Sequence, residues 1–226
     1  MRVVLFGATG MIGAGTLREC LLDPRVTSVL AIVRSSSGTS HPKLQEIIHA
    51  DFVNYGAIQS HFSSVDACLF CLGVSSAGMD EPSYRRMTFD LTLAAAQSMV
   101  AVSPRMTFCY ISGAGADSTE KGSIMWARVK GMIENALLRL PFKAAYMFRP
   151  GFIQPLHGIR SKTAWYQAFY TALGPFYPLL RRLPRYVTTT EALGRALIEV
   201  AVNGFSRPVL ESVDINRMAA KTYERT

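Results

Sequence analysis

The stretch VVLFGATGMIGAGTL, residues 3–17, constrains the fold more tightly than any other part of the chain. A short apolar run ends at Phe6, and Gly7, Gly10 and Gly13 follow at regular intervals into a segment that reads as a helix. That context, strand then glycine turn then helix, separates a meaningful glycine triplet from a chance one. Gly7 permits the tight turn, Gly10 lets the backbone approach a pyrophosphate, and Gly13 allows close packing of helix on strand. The helix N-terminus then offers free N–H groups and a partial positive charge to the phosphates.

Beyond this unit, short apolar runs alternate with longer amphipathic segments. RVVLF (2–6), SVLAIV (28–33), QEIIHA (45–50), DACLFC (66–71), RMTFCYI (105–111) and KAAYMF (143–148) read as strands. Most lack polar alternation, as expected when both faces of a sheet are covered. Helices are expected at 11–22, 55–62, 82–102 and 123–139, the third with Pro82 in its first turn and Pro104 just past its end. Strand and helix in steady alternation imply an α/β fold, a doubly wound parallel sheet wrapped by helices. The 226 residues suit one domain, with a nucleotide-binding core over about 1–150 and a small substrate-side elaboration over about 151–226.

The composition, 49% hydrophobic and 18% charged, excludes a disordered chain. A net charge of +8 favours anionic partners. No zinc-finger spacing, RNP-like aromatic motif or long basic run supports nucleic-acid binding. A phosphorylated small molecule accounts for the charge more economically. The few, scattered cysteines suit a reducing compartment, and the short apolar start suits no signal peptide, so a cytoplasmic protein is expected. Cys68 and Cys71 form a C-x-x-C, but side chains three apart on a strand point to opposite faces. No metal site is expected from them. TAWYQAFYTALGPFYPLL (163–180), interrupted by Gly174, Pro175 and Pro178, is unsuited to spanning a membrane. With the basic residues that follow, 163–185 suits a lid or substrate pocket, or weak contact with a membrane surface.

The second strand ends in AIVRSSSG. An NAD-selective site places an acid here for the ribose hydroxyls. This chain places Arg34 and then Ser35, Ser36 and Ser37, with no acid nearby in the sequence. A cation and hydroxyls suit a 2′-phosphate, which favours NADP(H) over NAD(H).

The G-x-x-G-x-x-G opening, GATGMIG, resembles that of the short-chain dehydrogenase/reductase superfamily, particularly its atypical and extended, epimerase/dehydratase-like branches. The likeness covers roughly the first 150 residues and implies a Rossmann nucleotide-binding fold. It implies that Gly7, Thr9, Gly10, Met11, Ile12 and Gly13 line the pyrophosphate. By the same resemblance Asp51 and Phe52 lie beside the adenine, Leu72 and Gly73 lie along the ribose, and Pro150 and Gly151 of FRPG lie beside the nicotinamide amide.

At the chemical end, YISGAGAD puts Ser112 at the carboxyl end of the fifth strand, where ligands of open α/β sheets bind. The resemblance makes Ser112 the residue that steadies the substrate oxygen. In SIMWARVKGMIE, Trp126 and Lys130 share a helix face at i, i+4. The family's catalytic pair there is Tyr and Lys, with the Lys bonded to the nicotinamide ribose. Indole N–H only donates, so Trp126 orients a substrate at most and cannot exchange a proton. The remaining proton sources are a water held by Ser112 and Lys130, Lys130 itself, or His157. The shared VKG and FRPG make the Tat-interacting-protein-like branch the nearest likeness. Two readings stand: an NADP(H)-dependent oxidoreductase or epimerase-like enzyme acting on a small molecule, or a catalytically silent NADP(H)-binding regulatory protein or scaffold. In this superfamily the helices at 82–102 and 123–139 are the usual homodimer faces.

Overall fold

In a computed structural model, residues 1–159 and 185–221 are described; the aromatic segment 163–180 lies outside them. Strands β1 (Arg2–Phe6), β2 (Ser28–Val33), β3 (Leu44–Ile48), β4 (Ala67–Phe70), β5 (Thr107–Ile111), β6 (Ala144–Arg149) and β9 (Val209–Glu211) form one sheet. Its order is β3-β2-β1-β4-β5-β6-β9, and every pairing is parallel. Parallel strands need long crossovers, and these cover both faces with helices. The result is the doubly wound Rossmann-like α/β architecture expected from the alternation of elements.

Alternate residues of each strand feed opposite cores. Val3, Leu5, Leu69, Cys109 and Ile111 belong to one, and Val4, Phe6, Cys68, Phe70, Phe108 and Tyr110 to the other. Cys71 packs against the first core while Cys68 lies in the second, so the two thiols stand on opposite sides of the sheet.

Helix α1 (Met11–Leu22) shares its face of the sheet with α5 (Thr190–Asn203). Their approach is close: a Cβ on Gly15 would stand 2.7 Å from Thr190 Cβ, and one on Gly194 2.9 Å from Glu19 Cγ. Glu19 and Glu199 are buried at this junction and held by arginines. Arg195 Nε donates to Glu19 at 2.8 Å, and Arg25 Nη1 donates to Glu199 at 2.6 Å. A small sheet of β7 (Phe152–Gln154) and β8 (Val187–Thr189) precedes α5, and α6 (Ser212–Lys221) follows β9.

On the other face the expected helix at 82–102 is interrupted. Asp80 caps α2 (Glu81–Arg85) by accepting from Ser83 N, a wider π turn occupies Arg86–Asp90, and α3 (Leu91–Val102) continues. The helix expected at 55–62 reduces to a 3₁₀ turn at Gln59–Phe62. Tyr55, Ile58 and Phe62 are buried at spacings that a loop meets as well as a helix does. Asn54 Oδ1 accepts from Gly56 N and closes a turn where the helix would start. α4 (Met125–Arg139) forms as expected, with Ile133 and Leu137 in the core.

Candidate functional site

Strands β1 and β4 are neighbours whose chains continue in opposite directions across the sheet, so a crevice opens between their carboxyl ends. Gly7 stands on one side with φ +79°, and a Cβ there would lie 2.7 Å from the Cys71 carbonyl oxygen. A Cβ on Gly13 would lie 1.9 Å from the Gly7 carbonyl oxygen, so helix and turn touch through backbone. Gly10 differs. Its φ of −86° is open to any residue, and the nearest atom to an added Cβ is Gly7 O at 3.4 Å. Gly10 is thus glycine for the space above it rather than for its own backbone.

α1 begins at Met11 with no side-chain cap and no acid in its first turn. Its first N–H groups are left for an anion. Met11 and Ile12 are partly buried and pack against the core, and Thr9 and Leu72 are half-buried. An added Cβ on Gly73 would meet nothing within 4 Å, which leaves open room at the end of β4. This uncapped, acid-free turn beside open space fits the phosphates of a dinucleotide.

At the end of β2, Arg34 and Ser35 are exposed, and Arg34 makes no hydrogen bond or ion pair to any described residue. The expectation of no acid nearby is corrected. Strand pairing sets Glu46 of β3 opposite Ala31, and its carboxylate accepts from Ser36 Oγ at 2.6 Å and Ser37 N at 3.0 Å. Asp51 is exposed and turns its Oδ1 back onto Val53 N and Asn54 N. Phe52 is buried edge-on to Phe6, at 6.3 Å between ring centres, within the core on that face.

At the chemical end, α4 runs with its N-terminus toward the carboxyl ends of the strands. Its backbone lies close on the loop after β5, since a Cβ on Gly131 would stand 1.7 Å from the Asp117 carbonyl oxygen. Trp126 is half-buried, and the far edge of its six-membered ring lies over Gly113 and Gly115. One turn on, Lys130 Nζ donates to Tyr110 Oη and to Ile111 O, each at 3.0 Å. Burial pushes this ammonium down to about 8, against a smaller opposing pull from Glu134.

Ser112 is buried and donates its hydroxyl to Glu134, which is 1% exposed. Arg149 of FRPG clamps the same carboxylate, Nε to Oε1 at 2.9 Å and Nη2 to Oε2, and reaches Ser118 Oγ at 2.6 Å. The hydrogen bonds that Arg149 gives to Glu134 raise its guanidinium above its ordinary value despite its burial. Pro150 is buried, and Gly151 N donates to Ser212 Oγ at 2.8 Å. His157, at φ +57°, pairs with Glu191 at 2.5 Å.

The structure brings Ser112, Trp126 and Lys130 to one end of the sheet, and adds Tyr110, Glu134 and Arg149. Two of these carried a usable signal. Glu134 follows Lys130 at i+4 on one helix face, and Tyr110 precedes Ser112 by two on one strand face. Glu46 carried none, because only strand pairing reveals it.

No protein-family model matches the chain. It is similar to the protein fmp52, mitochondrial, of Emericella nidulans, 28% identical over 213 residues, covering 89% of each chain. The FMP52 protein, mitochondrial, of Saccharomyces cerevisiae is 27% identical over 212 residues, 90% of this chain and 88% of that one. Among solved structures, the dTDP-glucose 4,6-dehydratase DesIV of Streptomyces venezuelae, with NAD and TYD bound, superposes with a TM-score of 0.67. That likeness is 14% identical and covers 99% of this chain and 81% of that one. The UDP-glucuronic acid 4-epimerase of Bacillus cereus, in complex with NAD, gives 0.65 at 14% identity, over 93% of this chain and 76% of that one. At such identities these structures establish the fold alone, a doubly wound, Rossmann-like parallel sheet. The cytoplasmic expectation is corrected, because the relatives that match most of the chain are named as mitochondrial proteins. No helix among the described residues is long and apolar enough to cross a membrane.

Proposed function

We propose that the chain is an NADP(H)-binding, short-chain-dehydrogenase/reductase-like enzyme, oxidoreductase or epimerase-like, in which Lys130 exchanges the proton that a tyrosine handles elsewhere. The observation that carries this is the Lys130 ammonium, held by Tyr110 Oη and Ile111 O at the sheet's carboxyl end and brought down to about 8 by burial. An amine that titrates near neutrality is suited to general acid–base work. The bound dinucleotide would supply or accept the hydride. The glycine turn and the α1 N-terminus would hold its pyrophosphate, with Arg34 and Ser35 at the 2′-phosphate and Asp51, Leu72 and Gly73 along the adenosine. Pro150 and Gly151 would border the nicotinamide. During reduction the carbonyl oxygen of a small-molecule substrate would take its proton from Lys130 Nζ, and Trp126 would wall the substrate space. VKG and FRPG support a place near the Tat-interacting-protein-like branch. The relatives' names support a mitochondrial setting.

A second reading, an NADP(H)-binding regulatory protein without turnover, is favoured by one observation. The Ser112 hydroxyl is given to Glu134 and is not free to donate to a substrate oxygen. NADPH and NADH titrations, followed by turnover assays on carbonyl and sugar-nucleotide panels, decide between the two. Turnover with a basic or acidic limb near pH 8 that Lys130→Met abolishes is the outcome expected of the enzyme. Tight NADPH binding with no turnover of any compound supports the regulator, and failure to bind either nucleotide removes both.

A further inference from the structure

We propose that Glu46 sets the margin between NADP(H) and NAD(H), because its carboxylate occupies the donors that a ribose 2′-phosphate would take. The inference rests on the dinucleotide reading above and concerns a residue outside the glycine turn and outside the chemical end.

Three observations carry it. First, the parallel register, with Ala31 opposite Glu46 and Val33 opposite Ile48, places Glu46 beside the loop that leaves β2. Second, that loop already binds an anion, its own neighbour's carboxylate. Ser36 Oγ donates to Oε2 at 2.6 Å, and Ser37 N donates to Oε1 at 3.0 Å. Gly38 N in turn donates to Ser36 Oγ at 3.1 Å and fixes the hydroxyl in place. Third, Arg34, two residues before Ser36, is exposed and pairs with no described residue. The loop therefore holds a cation with no partner among the described residues and two donors, and the donors are filled by a side chain.

Partial burial raises the Glu46 carboxyl, but the bonds from Ser36 and Ser37 outweigh it and hold the group below its usual range. Glu46 is thus charged at neutral pH. A 2′-phosphate would gain Arg34 but would meet this charge and would have to displace it from Ser36 and Ser37. A free 2′-hydroxyl needs neither the cation nor those donors. Arg34 and Glu46 oppose each other, so wild-type preference for NADP(H) is held below what Arg34 alone would give. The arrangement is reversible, since the carboxylate can swing to solvent when a stronger anion arrives.

The test measures dissociation constants of the full chain for NADPH and NADH, and for adenosine 2′,5′-bisphosphate and AMP as probes of the adenosine end alone. Glu46→Gln is expected to tighten NADPH and the bisphosphate by about tenfold, roughly the worth of one charge-assisted contact. NADH and AMP should stay within about twofold. Glu46→Asp keeps the charge and shortens its reach, and should gain less than the Gln variant does. An unchanged NADPH-to-NADH ratio in a folded Glu46→Gln protein overturns the proposal, as does an equal gain from Asp and Gln. If the wild-type chain binds neither dinucleotide, the dinucleotide reading itself fails. If both bind and the ratio does not move, only the role of Glu46 fails.

Discussion

The Lys130 ammonium lies 3.0 Å from the Tyr110 hydroxyl and 4.8 Å from the centre of the same ring. A phenol on the strand beneath the helix therefore stands as the counterpart of this amine. That counterpart is a poor acid, since burial pushes the Tyr110 hydroxyl well above its ordinary range. Of the pair, the amine is the partner able to change protonation near neutral pH.

Lys130 makes stability depend on pH in a set direction. Its folded value, about 8, is below the ordinary 10.5. Between these values the unfolded chain holds the extra proton, so stability rises with pH across that window and levels off above it. Below pH 8 the full cost of burying the charge is present. Lys130→Met should lack this rise, so the gap in urea midpoint between variant and wild type, in the variant's favour at pH 7, should narrow by pH 9.5. A constant gap would mean that the amine is not desolvated.

Trp126→Tyr places a phenol one helical turn from Lys130. We expect it to raise NADPH-dependent reduction of model dicarbonyls by about 10²-fold, the lower end for a positioned acid. Unchanged rates would show that Trp126 does not face the reacting centre. The substitution shrinks the side chain and should cost little stability, because the indole is half-buried against the Gly113–Gly115 loop.

Glu134 and Arg149 form a buried pair that also holds Ser112. Arg149→Met leaves an uncompensated carboxylate in the interior and should cost about 3–5 kcal/mol in urea unfolding. Replacing both, Arg149→Met with Glu134→Leu, should recover most of that loss. A double variant as unstable as the single one would argue that Arg149 acts through its packing or its bond to Ser118.

The glycines of the turn should separate by variant. Gly13→Ala forces a methyl to within 1.9 Å of the Gly7 carbonyl and should lower the melting temperature sharply. Gly10→Ala meets nothing closer than 3.4 Å and should fold as wild type does, while weakening dinucleotide binding. Circular dichroism melts and nucleotide titration of the two variants check this directly.

Most of the sheet was legible because its strands are apolar on both faces and the glycine turn fixes where the first one ends. The helix expected at 55–62 failed because Tyr55, Ile58 and Phe62 have helical spacing while serving as anchors of a loop. The break at Arg86–Asp90 left no mark in composition. At the chemical end, i, i+4 spacing put Trp126 and Lys130 on one helix face. The commitment of the Ser112 hydroxyl could not be read from spacing, because it depends on how β5 packs against α4, which sets Glu134 beside it. Glu46 shows the same limit: an acid absent along the chain was present across the ladder.

The close seating of α1 on α5 bears on how the chain is made. Leu17 and Glu19 of the nucleotide-side helix are covered by a partner that emerges from the ribosome some 170 residues later. Until Thr190–Asn203 is synthesised, that face of α1 is bare and the Glu19 carboxylate lacks Arg195. A nascent chain halted at residue 185 should therefore carry its glycine turn on an unfinished helix, open to protease within α1. One halted after residue 221 should be protected there. The element that defines the first seventeen residues is thus among the last to become secure.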